Sequence, residues 1–183
     1  MIFHEKNYFC IHAVACKINE FISNARYFMS YQLPILNLIP LQPLIRLKSS
    51  AHEIFDPYRR KWVRLTPEEW VRQSFLNHLV EALGYPKGRT GVEFQVRYNA
   101  LVRRTDAVVF DENGKPLIII ECKAHTVEIN ENVFYQACMY NRELQAKWLF
   151  LTNGITHIAA DISGETVRFF EEVPAFKKLK NEK

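Results

Sequence analysis

The chain has 183 residues, 48% of them hydrophobic and 13% aromatic, with a formal net charge of +4. That length supports one sizeable core with extensions and argues against two, and the charge is a mild bias toward phosphate-bearing partners. The four cysteines, at 10, 16, 122 and 138, form no CxxC pair and no His/Cys cluster at zinc spacing, which excludes a metal finger or a disulfide framework and fits a reducing, cytoplasmic setting.

The N-terminal stretch "MIFHEKNYFCIHAVACKINEFISNARYF" is interrupted by Glu5, Lys6, Lys17, Glu20 and Arg26. It lacks the unbroken apolar run of a membrane span and reads as a short amphipathic segment, not an export signal. Met29 follows directly, which makes residues 1–28 a candidate over-called gene start. Residues 33–47, "LPILNLIPLQPLIRL", are apolar but broken by Pro34, Pro40 and Pro43, so the expectation is an extended strap lying on the domain. In "DPYRRKWVRL", Arg59, Arg60, Lys61 and Arg64 are interleaved with Tyr58 and Trp62. This pattern suits a solvated basic strand or a surface that contacts phosphates.

"LTPEEWVRQSFLNHLVEALGY" is the clearest helix. Thr66 suits the N-cap, Pro67 the first turn, Glu69 a capping box, and Gly84 the far end. Val71, Phe75, Leu76, Leu79, Val80 and Leu83 form one apolar stripe, with Glu68 and Arg72 near its middle. An i,i+4 ion pair between those two and a functional role for the acid are both open. Strands are expected at 92–98, 102–110, 116–123 and 147–152, with a helix from about 130 to 144. The tail suggests a further hairpin around Ser163-Gly164, then a solvated "KKLKNEK". The order of elements is that of an α/β domain with a mixed central sheet flanked by helices.

The chemistry gathers on one hairpin. Asn113-Gly114, in "DENGKP", is a strong signal for a two-residue type I′ turn. Paired residues would then place Phe110 opposite Leu117, Val108 opposite Ile119, and Asp106 opposite Glu121. Two carboxylates facing each other with Cβ atoms roughly 4.5–5.5 Å apart repel, by about 4 kcal/mol at an effective dielectric of 20. A divalent cation removes that conflict. Lys123 points to the same face, where its ammonium can orient a water or offset charge building on a phosphate. Cys122 points the other way and reads as a packed small residue.

Asp106 followed by Glu121-x-Lys123 resembles the PD-(D/E)xK nuclease superfamily, whose core has the element order read above. Gln136 and Tyr140, at i,i+4 in "QACMY", match the QxxxY motif of one branch of it. Together with "DPYRRKWVRLTPEEWVRQ" and "LTNG", the pattern resembles the N-terminal nuclease domain of type I restriction enzyme R subunits over residues 33–160. The resemblance implies a restriction-endonuclease-like core over 46–175, with 1–45 as extension and strap and 176–183 as a basic tail. It implies Mg²⁺ or Mn²⁺ held by Asp106, Glu121 and Glu68, with Lys123 assisting the attacking water. Gln136 and Tyr140 would shape the site or hold the DNA backbone, although ordinary helix packing also accounts for their spacing. Arg59, Arg60, Lys61, Arg103 and Arg104 are the expected DNA contacts. Thr105 stands where the superfamily has proline, and the 183 residues contain no GxxxxGK[ST] loop. Translocation would therefore belong to a separately encoded translocase or specificity subunit; a homodimer is the other expected arrangement. The alternatives are a non-catalytic nucleic-acid-binding or partner-binding module, or a nuclease acting on RNA or branched DNA.

Overall fold

The computed structural model describes residues 33–98 and 101–181, so the N-terminal segment with its candidate start at Met29 lies outside the described residues. From 33 to 44 the chain runs without regular structure, as its three prolines require. It is tied down at two points. Asn37 N donates to Gly154 O at 2.7 Å, and Trp70 Nε1 donates to Pro34 O at 3.1 Å. Leu36 and Leu38 pack against the main core. Gly154 has φ +85°, and a Cβ there would sit 2.8 Å from a Leu36 methyl, so the close approach of the strap needs glycine.

The strap ends earlier than expected. Ile45–Lys48 is strand β1 of a three-stranded antiparallel sheet completed by β2 (Ala51–Asp56) and β3 (Lys61–Arg64). Ile45, Ile54 and Val63 occupy one register row and form a small core with Leu65 and Trp70. Helix α1 (Pro67–Glu81) follows, its N-cap Thr66 accepting from Glu69 N at 3.0 Å. Tyr85 N closes the other end on Leu79 O, past Gly84 with its positive φ.

The main sheet has six strands in chain order: β4 (Thr90–Tyr98), β5 (Leu101–Phe110), β6 (Pro116–Cys122), β7 (Trp148–Thr152), β8 (His157–Asp161) and β9 (Arg168–Phe170). Only β6 and β7 are parallel, and helix α2 (Glu131–Leu144) connects them. Strand β6 is buried on both faces, which explains its unbroken apolar run. Ile118, Ile120 and Cys122 meet α1, while Ile119, Leu149 and Leu151 meet α2. The sheet is thus a mixed layer between helices, as expected.

Two expectations fail locally. The β5–β6 turn is a three-residue loop, because Asp111 N donates to Lys115 O across it, and Gly114 alone of its residues has positive φ. Phe110 accordingly pairs with Pro116, not Leu117. A register shift between Val109 and Phe110 absorbs the extra residue, so Val108 faces Ile119 and Ala107 faces Ile120 as the shorter turn would have had it. The tail is also not simply solvated: α3 (Phe176–Asn181) returns Phe176 and Leu179 to the main core.

Candidate active site

The pairing of β5 with β6 runs as far as Ala107 and Ile120. One residue further, a side chain takes over from the backbone: Asp106 Oδ2 accepts from Cys122 N at 2.6 Å. This hydrogen bond fixes the Asp106 carboxylate beside Glu121, as the register argument requires. Glu121 is only 4% exposed, and its Oε1 is buried without a hydrogen-bond partner. Burial first, and then the charge of Asp106, push the Glu121 carboxyl well above the usual carboxylate range, against the opposing pull of Lys123. Asp106 is raised for the same first reason, with the Cys122 amide acting against it and Glu68 adding to it. The pair is electrostatically frustrated on its own. Cys122 itself is fully buried in the core, on the face away from the acids.

Glu68 is exposed at the first turn of α1 and lines, with Asp106, an open cleft of about 290 Å³. Its charge reaches both buried carboxyls. Among the described residues, however, no three His, Cys, Asp or Glu side chains converge tightly enough to hold an ion by themselves. Asp106 and Glu121 therefore stand as the inner pair, with Glu68 at the rim. Lys123 is half-buried, its backbone N donating to Thr152 O at 2.8 Å, which anchors it to β7 beside the acids.

The wall of the cleft is a buried ion network that the sequence reading did not anticipate. Arg72, 3% exposed, does not pair with Glu68. Its Nη2 donates to Asp56 Oδ2 at 2.7 Å and it also binds Glu69, one position on from the expected acid. Arg59 binds Asp56, Glu69 and Glu93. Glu69 is thereby turned toward the two arginines and Gln73, and its carboxylate does not close a capping box. Glu93 reaches Arg59 from a residue with φ +49°, a strained conformation of the kind that gathers around sites. Of these groups, Arg72 stood out in the sequence as a charge within an apolar stripe, while Arg59 and Glu69 stood out for other roles and Asp56 and Glu93 not at all.

The basic residues expected to meet DNA divide accordingly. The Arg59 guanidinium is largely buried and is engaged by Asp56, Glu69 and Glu93. Arg60, Lys61 and Arg104 are exposed, Arg104 with only a distant pairing to Glu93 at 3.9 Å. Gln136 is exposed on α2, and among the described residues no hydrogen bond joins it to the carboxylates. The side chains of Arg103 and Tyr140 lie outside the described residues.

Asp106, Glu121 and Lys123 lie together where the central strands of a helix-flanked mixed sheet end, in an α/β domain. The family model described as type I restriction enzyme R protein N terminus matches residues 67–176, and the chain belongs to that family. Among solved structures, it is similar to a fragment provisionally assigned to an HsdR subunit of a type I restriction enzyme from Vibrio vulnificus, at 16% identity and TM-score 0.48. That match covers 63% of this chain and 25% of the other. A protein provisionally assigned as a nuclease from Anabaena variabilis is similar at 13% identity and TM-score 0.40, over 74% of this chain and 87% of that one. No curated protein matches.

Proposed function

We propose that this chain is a divalent-metal-dependent nuclease domain that hydrolyses DNA phosphodiester bonds. The observation that carries the reading is Glu121 Oε1, a buried carboxylate oxygen with no partner, held beside Asp106 and Lys123. A buried acceptor left without a partner costs about 1–3 kcal/mol, more when charged, and a fold gains nothing from it for stability alone. An all-oxygen donor set of two carboxylates with room for waters fits Mg²⁺ or Mn²⁺, which bind through one or two carboxylates plus substrate phosphate. Such an ion, when bound, supplies charge neutralisation and a more acidic water.

The chain's own residues do the rest. Asp106 is oriented by the Cys122 amide, which donates to its Oδ2, and its carboxyl also meets Glu121. Lys123 brings a positive charge to both acids, in position to hold a water or to offset charge on the phosphoryl oxygens as the bond breaks. Glu68, at the cleft rim, is placed to hold a water on the approach side. Membership of the R-subunit family supports DNA as the substrate.

The test is cleavage of plasmid and single-stranded DNA in Mg²⁺ or Mn²⁺ by the full chain and by Asp106→Ala and Lys123→Ala. Metal-dependent cutting should fall at least about 100-fold in both variants, a loss typical of removing a charge-stabilising group. Calorimetry should show metal binding lost in Asp106→Ala and kept in Lys123→Ala. Cleavage that survives in both would overturn the assignment.

A further inference from the structure

The small sheet has a face that no element of the described fold covers. Ile45, Ile54 and Val63 turn inward, so the alternation of β1–β3 puts Arg46, Lys48, Phe55, Trp62 and Arg64 on the other side. Phe55 and Trp62 are cross-strand partners, their rings edge to face at 5.6 Å and 68°. The Arg46 guanidinium lies over the Trp62 ring, 4.3 Å from its centroid, and Glu53 holds it there through Nε at 2.7 Å and Nη2 at 2.6 Å. This is an ordered stack of planar groups at the surface.

The charge around it has one sign. Lys48 and Arg64 on this face, and Arg60 in the turn beside it, are exposed and enter no ion pair among the described residues. The two acids of the sheet, Glu53 and Asp56, are both engaged by arginines. Arg64, on this face, also lines the cleft that holds Glu68 and Asp106, so the face meets the candidate active site at the end of β3.

We propose that the outer face of β1–β3 is a stacking platform for an unpaired nucleic-acid strand, which it leads toward Asp106. The inference rests on the phosphodiesterase reading and narrows its substrate. A duplex hides the faces of its bases and offers mainly phosphates, for which planar side chains have no use. An unpaired strand offers both, and aromatic rings and guanidinium planes take its bases while lysines and arginines track its backbone. Three cations on and beside a face whose own acids are engaged complement a polyanion better than a folded protein of mixed charge.

Tryptophan emission reads the platform directly, because Trp70 and Trp148 are only 7% and 0% exposed while Trp62 is half-buried at the surface. The full chain is titrated in EDTA with an oligothymidylate of about 15 nucleotides, a length within the range of single-strand sites, and with a duplex of equal length. Saturable quenching by the oligothymidylate at concentrations where the duplex has little effect is the expected result. Trp62→Leu, checked by circular dichroism, should weaken anisotropy-detected binding of a labelled oligothymidylate roughly tenfold, the cost of losing one stacking side chain. Phe55→Leu is the second variant and should weaken it less.

Equal quenching and affinity for the duplex would overturn the unpaired-strand assignment, and absence of quenching by either probe would overturn the platform. A Mg²⁺ cleavage assay on the same proteins separates this from the broader reading. Quenching without any metal-dependent cleavage would sink the nuclease and leave the platform, and cleavage without a Trp62 response would do the reverse.

Discussion

Asp56 does more to order the cleft than any residue expected to be catalytic. Its Oδ1 accepts from the backbone N of Tyr58 at 2.8 Å and of Arg59 at 3.1 Å, shaping the turn after β2. Its Oδ2 takes Arg72 Nη2 and Arg59 Nε. Burial alone would raise the Asp56 carboxyl, but the hydrogen bonds and charges of Arg72 and Arg59 outweigh it and hold the group below its ordinary value of 3.8. A depressed pKa in the folded state means that the stabilisation is fully present above the ordinary value and is lost as pH falls through the lower folded one. The urea midpoint of the protein should therefore drop as pH is lowered from about 5 to below 3.8, in part through Asp56. Asp56→Asn should cost about 3–5 kcal/mol at neutral pH, since it strips a buried arginine of its partner, and should flatten the acid slope. A variant with an unchanged midpoint and slope would show the network to be ornamental. Glu121 makes the opposite case at the same scale: a buried oxygen without a partner is a cost with no return in stability.

At the scale of elements, the legible parts were those whose signal is local. Thr66 and Pro67 started α1 where expected, and the apolar run of 117–120 placed β6 in the middle of the sheet. The hairpin was legible for the wrong reason. Asn113-Gly114 did not make a two-residue turn, yet the bulge at Val109 and Phe110 restored the register that turn would have set, and Asp106 still met Glu121. Meanwhile the two-residue turn with positive φ throughout is made by Ser49 and Ser50, between β1 and β2. Serines carry no such signal, so the sequence shows β1 only as the end of a strap and β3 only as a basic strand, with nothing to pair them through β2. The ion network was illegible because its partners lie far apart along the chain and only folding brings them together. Gly154 gives the sharpest element-level test of the strap. Gly154→Ala would combine a left-handed φ with a Cβ 2.8 Å from a Leu36 methyl. It should cost about 1–3 kcal/mol through backbone strain and a lifted strap, seen as a lower melting temperature and faster proteolysis between 33 and 44. An unchanged melting temperature and cleavage pattern would mean that the strap does not clamp the β7–β8 corner.

The whole molecule is more than the stretch that identifies its family. The matched region begins at residue 67 and ends at 176, leaving out the strap, the small sheet and most of α3. The physical unit does not respect that boundary. Asp56 and Arg59, from the small sheet and its turn, hold Glu69 and Arg72 on α1 and Glu93 on β4, so one buried network spans both sheets. Trp70 is buried by the small sheet's core, and Leu179 of α3 enters the main one. Residues 67–176 expressed alone would leave the 3%-exposed Arg72 without Asp56 and open apolar surface on two sides. The loss of the buried partner alone should cost about 3–5 kcal/mol, a large share of the 5–15 kcal/mol that holds a typical domain. Chemical denaturation should then show a single cooperative transition for residues 33–183 and a shallow, early one for 67–176. Matching midpoints and slopes would mean that the N-terminal sheet is an appendage, and the continuity from its outer face to Asp106 would lose its structural basis.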